Sequence, residues 1–253
     1  MGERKVINVL WTGGWDSTFR VVELSRQDVC IQAIYVKDPH RKSSPYEKKA
    51  MEKITELIKK KESTKAELLP IIEIDRESIP QNSDITDAYN RIYKKTKLGS
   101  QHEWLARLAV DYPGIEIGTE AGSVESSHIL KAISMFGRLE ETEEKKALNK
   151  SKSTRDGILV LGNMSFPIID KTEKEMQELI HQWGYEDVMQ NIWFCHAPID
   201  DKPCGICHPC QVKIASGMEF LLPEKSALRG KKYRALEKIL GERIARKIFD
   251  FLI

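Results

Sequence analysis

No run in this sequence approaches the roughly 18 consecutive apolar residues that cross a bilayer. No excess of one charge stands out either: Lys and Arg total 40 against 38 Asp and Glu, a formal net charge of +2. Bulk charge therefore argues for neither a nucleic-acid nor a membrane partner. The opening Met1-Gly2-Glu3-Arg4-Lys5 runs into a short apolar stretch ending at Leu10, without the longer apolar core and small-residue cleavage site of a signal peptide. Cysteine is scarce, five residues in 253, and it is not dispersed as a disulfide framework would be. Four of the five, Cys195, Cys204, Cys207 and Cys210, fall in one short segment, which suits a metal site in a reducing compartment. The expectation is a soluble, cytoplasmic protein. Also missing are a Gly-Lys-Ser/Thr ending, which excludes a Walker A loop, and a Gly-x-Gly-x-x-Gly spacing, which excludes the dinucleotide fingerprint.

What is present is an alternation. Short β-branched runs at Val6 to Leu10, Ile31 to Val36, Leu68 to Ile74, Ile115 to Ile117 and Ile158 to Leu161 predict buried parallel strands. Helical periodicity occupies Ser17 to Arg26, Pro45 to Lys61, Ile85 to Lys95, Gln101 to Asp111, Ser126 to Met135 and Glu173 to Trp183. This pattern predicts an α/β fold, a Rossmann-like doubly wound parallel sheet with ligands beyond the carboxyl ends of its strands. The charged stretch from Gly137 to Arg155 predicts a solvated helix end and a loop. Division into two parts is expected: an α/β domain over 1–185, with a charged insertion at about 137–156, and a cysteine-rich loop with a basic helical tail over 186–253.

The strand ending at Leu10 leads into Trp11-Thr12-Gly13-Gly14-Trp15-Asp16-Ser17-Thr18 and then a helix. Strand, glycine pair and helix start together build an anion site. The glycines allow close backbone approach, and the first amides of the helix point at the anion. Thr12, Ser17 and Thr18 add hydroxyls. Asp16 would be repelled by phosphate unless it caps the helix or helps hold a divalent cation.

Cys195 precedes Cys204 by nine positions, and Cys204, Cys207 and Cys210 follow at intervals of two intervening residues. Four thiolates match the tetrahedral preference of Zn²⁺ and would leave no open position for catalytic water, so a structural zinc is expected. An iron–sulfur cluster and a redox dithiol at Cys204 and Cys207 use the same residues. His196 and His208 are read as neighbours of the ligands, and Cys30 as a buried small hydrophobe.

The turn resembles the Ser-Gly-Gly-x-Asp-Ser signature of the PP-loop ATPases, with Thr12 in place of the serine. Together with the cysteine spacing, with Phe166-Pro167-Ile168-Ile169-Asp170 and with Trp193-Phe194-Cys195, it resembles the 7-cyano-7-deazaguanine synthase family over most of the chain. The resemblance implies a fold of the HUP, adenine nucleotide α-hydrolase, type with a small zinc unit and commonly a homodimer. It implies ATP and Mg²⁺ held by Trp11 to Thr18, with Asp16 and Ser17 catalytic, the adenine against the backbone of Tyr35 and Val36, and further contacts from Gln101, Gly118 and Thr119. The implied reaction adenylates the carboxylate of 7-carboxy-7-deazaguanine and converts it to an amide or nitrile with ammonia. Relatives in anti-phage defence attach the deazaguanine to a protein amine instead. The family's Tyr-Gly-Gln after the second strand is absent here, where Lys37-Asp38-Pro39-His40 follows. Its Tyr-Pro-Asp-Cys-Arg stretch is replaced near Glu120, Ser123 and Glu125, and Lys213 stands where an arginine is usual. These departures leave a PP-loop tRNA-modifying enzyme and a nucleotide-binding scaffold as rival readings.

Overall fold

The computed structural model describes residues 4–122, 127–142, 146–241, 243–245 and 249. Along the chain run β1 (Val6–Leu10), α1 (Trp15–Ser25), β2 (Cys30–Lys37), α2 (Ser44–Lys59), β3 (Glu67–Leu68), β4 (Ile72–Asp75), α3 (Ser83–Thr96), α4 (Gln101–Asp111) and β5 (Ile115–Glu116). There follow α5 (His128–Phe136), β6 (Leu139–Glu141), β7 (Lys146–Leu148), α6 (Arg155–Leu161), β8 (Met164–Ser165), α7 (Glu173–Trp183), α8 (Glu186–Met189), α9 (His208–Ala215) and α10 (Glu224–Leu240).

The strands form one mixed, mostly parallel sheet in the order β3-β2-β1-β5-β8-β7-β6, with β4 also on β2. The β1, β2, β3, β4, β5 and β8 pairings are parallel, while β7 runs antiparallel to both β6 and β8. Period-two alternation along β2 explains why both faces must be covered. Ile31, Ala33 and Tyr35 enter a core with α1, α2, α7 and α8, whereas Ile34 and Val36 enter one with α3, α4, α5 and α6.

Three stretches differ from the sequence expectation. Leu68 to Ile74 is two strands, because Pro70 has no amide to give the ladder; its carbonyl instead accepts from Gln32 Nε2 at 2.7 Å. Ile158 to Leu161 is the end of a helix, α6. Thr154 caps it by accepting from the Gly157 amide at 3.1 Å, and Arg91 of α3 holds Asp156 through two bonds of 2.7 and 2.9 Å. The strand position beside β5 is taken by Met164–Ser165 instead. The charged stretch after Gly137 contributes two paired strands rather than a helix end and loop, for β6 and β7 run antiparallel and extend the sheet, and Lys146 Nζ reaches Asp170 at 2.6 Å.

Candidate functional site

The chain passes from β1 to β2 and on to β3 and β4 on one side, then crosses back to β5 on the other side of β1. Parallel α/β sheets open a crevice at such a reversal, beyond the carboxyl ends of the two strands. The loop after β1 is Trp11 to Gly14, and the loop after β5 is Ile117 to Gly122. A cavity of about 920 Å³ opens beside them, lined by Thr12, Gly14, Trp15, Asp16 and Ser17 from the first loop and helix start and by Gly118, Thr119 and Glu120 from the second loop. Gln101 and His102 at the start of α4 and Arg41 complete the side walls, with His196 and His208 at the cysteine segment.

Backbone geometry explains the glycines. Gly13 has φ +69°, the left-handed region, and a Cβ there would lie 3.2 Å from the Glu47 carbonyl oxygen. Its own carbonyl accepts from the Trp193 amide at 2.8 Å. Gly14 is the N-cap of α1, and no side chain caps that helix. The first-turn amides, which have no acceptor inside their helix, therefore belong to residues on the cavity wall. Gly118 meets this turn from the other side: a Cβ there would stand 2.9 Å from the Ser17 amide nitrogen. Below both loops Arg20 of α1 grips Glu116 of β5 through two bonds of 2.6 and 2.8 Å, a nearly enclosed pair that fixes the turn against β5. Gly118→Ala is accordingly expected to push the two loops apart, to cost about 1–3 kcal/mol in urea unfolding and to weaken nucleotide binding in calorimetric titration.

Several residues assigned to the site by sequence lie elsewhere. Thr18 is buried and its hydroxyl accepts from Trp11 Nε1 at 2.9 Å, so both side chains belong to the core under the turn. Asp16 does not cap α1. Tyr35 and Val36 turn their side chains to opposite cores, which leaves only their backbone for the contact expected of them. The Tyr35 hydroxyl donates to Glu47 at 2.9 Å, and burial, with Glu47 adding to it, pushes its pKa up to about 12. Glu47 also takes Ser43 at 2.8 Å and Arg41 at 2.9 Å, a buried network no motif announced. Gln101, Gly118 and Thr119 do line the cavity. Ser123 and Glu125 fall outside the described residues.

The electrostatics centre on three carboxylates and one lysine. Asp16 keeps some surface but sits deep among protein atoms. That depth pushes its pKa up to about 6, opposed by Lys213 and assisted by Glu173. Glu120 is pushed up to about 7 by burial first, then by Asp16 and Glu173, with Lys213 again opposing. Lys213, 7 % exposed, comes from α9, bonds Glu173 and lies 5.2 Å above the Trp15 ring. Two polar atoms on the cavity residues have no partner, Glu120 Oε2 and Trp15 Nε1, and both are buried.

The cysteines converge. Sγ atoms of Cys195, Cys204, Cys207 and Cys210 lie within 4.8 Å of one another, the one such group of potential metal ligands among the described residues. Neighbouring Sγ pairs stand 3.5, 3.8 and 3.9 Å apart. A tetrahedron with Zn–S bonds of about 2.3 Å has edges of about 3.8 Å. Amides of Cys204, Ile206 and Cys207 point at sulfur at 3.1 to 3.4 Å, the hydrogen bonding that thiolate ligands need. The cluster could thus hold a metal such as zinc. Cys30 is half-buried rather than enclosed, because it opens β2 at the surface beside Glu67, whose Oε2 is 3.7 Å from its Sγ.

No protein-family model and no curated protein matches this chain. Among solved structures, the crystal structure of a predicted subunit of tRNA methyltransferase from Methanocaldococcus jannaschii is similar at a TM-score of 0.29 and 14 % identity, over 75 % of this chain and 93 % of that one. A likeness of that degree carries no argument about activity. Among the described residues no helix is long and apolar enough to cross a membrane.

Proposed function

We propose that this chain is a PP-loop enzyme of the HUP, Rossmann-like type that uses ATP to adenylate a carboxylate and then joins the acyl group to nitrogen. The supporting observation is the Thr12 to Ser17 turn: it stands at the reversal point of the sheet, ends in a helix no side chain caps, and borders a cavity large enough for a nucleotide and a second substrate. The amides of Trp15, Asp16 and Ser17 would hold the phosphates, with the Thr12 and Ser17 hydroxyls donating to phosphate oxygens. Asp16 and Ser17, which line the cavity, would hold magnesium, and the ion would neutralise phosphate charge. A substrate carboxylate oxygen attacks the α-phosphorus, the bond to the bridging oxygen breaks, and pyrophosphate leaves with the electron pair. Positioning and charge stabilisation by the turn supply the acceleration.

The carboxylate we assign is 7-carboxy-7-deazaguanine, on the sequence resemblance, with ammonia or a protein amine as the nitrogen donor. In this reading the four cysteines hold structural zinc beside the active site, 1–185 is the nucleotide-binding domain, and the chain works in the cytoplasm. Incubation with ATP, Mg²⁺ and 7-carboxy-7-deazaguanine is expected to yield AMP and pyrophosphate in amounts that depend on the carboxylate. Nucleotide binding without AMP under those conditions would instead favour a scaffold.

A further inference from the structure

On the adenylation reading, the turn accounts for the first half of the reaction but leaves the second half without a proton acceptor. An attacking nitrogen gains positive charge as it bonds to the acyl carbon and must lose a proton for the amide to persist. We infer that Glu120, at the end of the loop after β5, is the base that takes this proton.

Three observations carry the inference. The first is place: Glu120 lines the same cavity as the glycine turn, from the loop after β5 that adjoins the start of α1. The contact of Gly118 with the start of α1 and the bond from the Ala121 amide to the Lys171 carbonyl oxygen at 2.8 Å pin its loop there. The second is an unfilled bond. Glu120 Oε2 is buried and has no partner, whereas Glu173 is joined to Lys213 and Glu116 to Arg20. A buried acceptor left open costs on the order of 1–3 kcal/mol, a cost that a donor N–H on a bound molecule would remove. The third concerns the alternative of a cation held by the carboxylates. Among the described residues the four cysteines are the one group placed to hold a metal ion, and Asp16, Glu120 and Glu173 do not form another. The burial and neighbouring negative charge that raise the Glu120 pKa also make it a stronger base than an ordinary carboxylate.

The step balances. The nitrogen lone pair forms the C–N bond, the bond from the acyl carbon to the AMP oxygen breaks, and AMP leaves with that electron pair. One N–H proton passes to a Glu120 oxygen and from there to solvent.

The test separates the two halves on the full chain. Carboxylate-dependent exchange of labelled pyrophosphate into ATP reads adenylation, amide from ammonia reads transfer, and hydroxamate from hydroxylamine reads transfer to a nucleophile whose adduct is a stronger acid than that of ammonia and loses its proton to water more readily. Glu120→Gln is expected to keep exchange within a few-fold of wild type, to lower amide formation by about 10²-fold or more, and to keep most of the hydroxamate. Glu120→Asp, which retains the charge, is expected to recover part of the amide rate. Exchange and amide falling together would place Glu120 in the nucleotide machinery and overturn the inference, as would an unchanged amide rate. Absence of exchange in the wild-type chain would overturn the adenylation reading, and this inference with it.

Discussion

Asp16→Asn is expected to remove carboxylate-dependent AMP formation to background while making the nucleotide-free protein more stable at about pH 8 than the wild type. The two effects share one cause. Asp16 sits at the start of α1, on the cavity wall, where ionisation is opposed by burial and by Glu173 and is only partly offset by Lys213. Its folded pKa of about 6 exceeds the ordinary aspartate value of 3.8, so folding favours the protonated form. The associated stability is complete below the unfolded pKa and is lost as pH rises through about 6. Asparagine keeps the shape and discards the charge, so the gain should amount to about 1–3 kcal/mol at about pH 8 and vanish near pH 4. Urea unfolding at the two pH values beside an AMP assay reads both. Retained turnover in the variant would remove Asp16 from the mechanism.

Cys207→Ser is expected to have the largest effect on stability. The cysteine segment has little core of its own: Cys195, Cys204 and Cys210 are buried together with Leu222 and Ala227, and few other buried apolar residues join them. Metal bound by such sites contributes up to about 10 kcal/mol to local folding, so loss of one ligand should lower metal content and solubility together. The damage should reach the glycine turn. The Trp193 amide holds the Gly13 carbonyl, the Trp193 ring stacks on Tyr46 at 4.5 Å, and Lys213 of α9 lies over Trp15. Nucleotide affinity in Cys207→Ser should therefore fall although no cysteine lies on the cavity wall. Cys30→Ser, outside the cluster, is the control and should keep its metal. A Cys207→Ser protein with full metal content would overturn the assignment of this thiol as a ligand.

Where the sequence was legible, a strong local signal agreed with the tertiary environment. Val6 to Leu10 is β-branched and flows into two glycines, and the structure has β1, the turn and α1 there. Gln101 to Asp111 is helical over the expected span. Ile158 to Leu161 misled because four apolar residues fit a strand or a helix equally; the deciding group was Thr154, whose capping bond lies just upstream of the run. The charged stretch after Gly137 misled because its pairing partner, β8, is contributed by residues further along the chain. Within the site, the turn was readable from its glycines. The roles of Glu47, Glu116 and Lys213 were not, since each depends on a partner from another element, Tyr35 of β2, Arg20 of α1 and Glu173 of α7. Glu120 was visible as a departure from a family pattern, but its open acceptor required the fold.

The two ends of the sheet bear on how copies of this chain can meet. At one end Pro70 interrupts the outer strand after two residues; at the other stands β6, three exposed residues of which two, Glu140 and Glu141, are acidic. Neither presents a long, neutral ribbon on which an identical strand could lie down. Association of two copies through one continuous sheet is thus disfavoured at both margins.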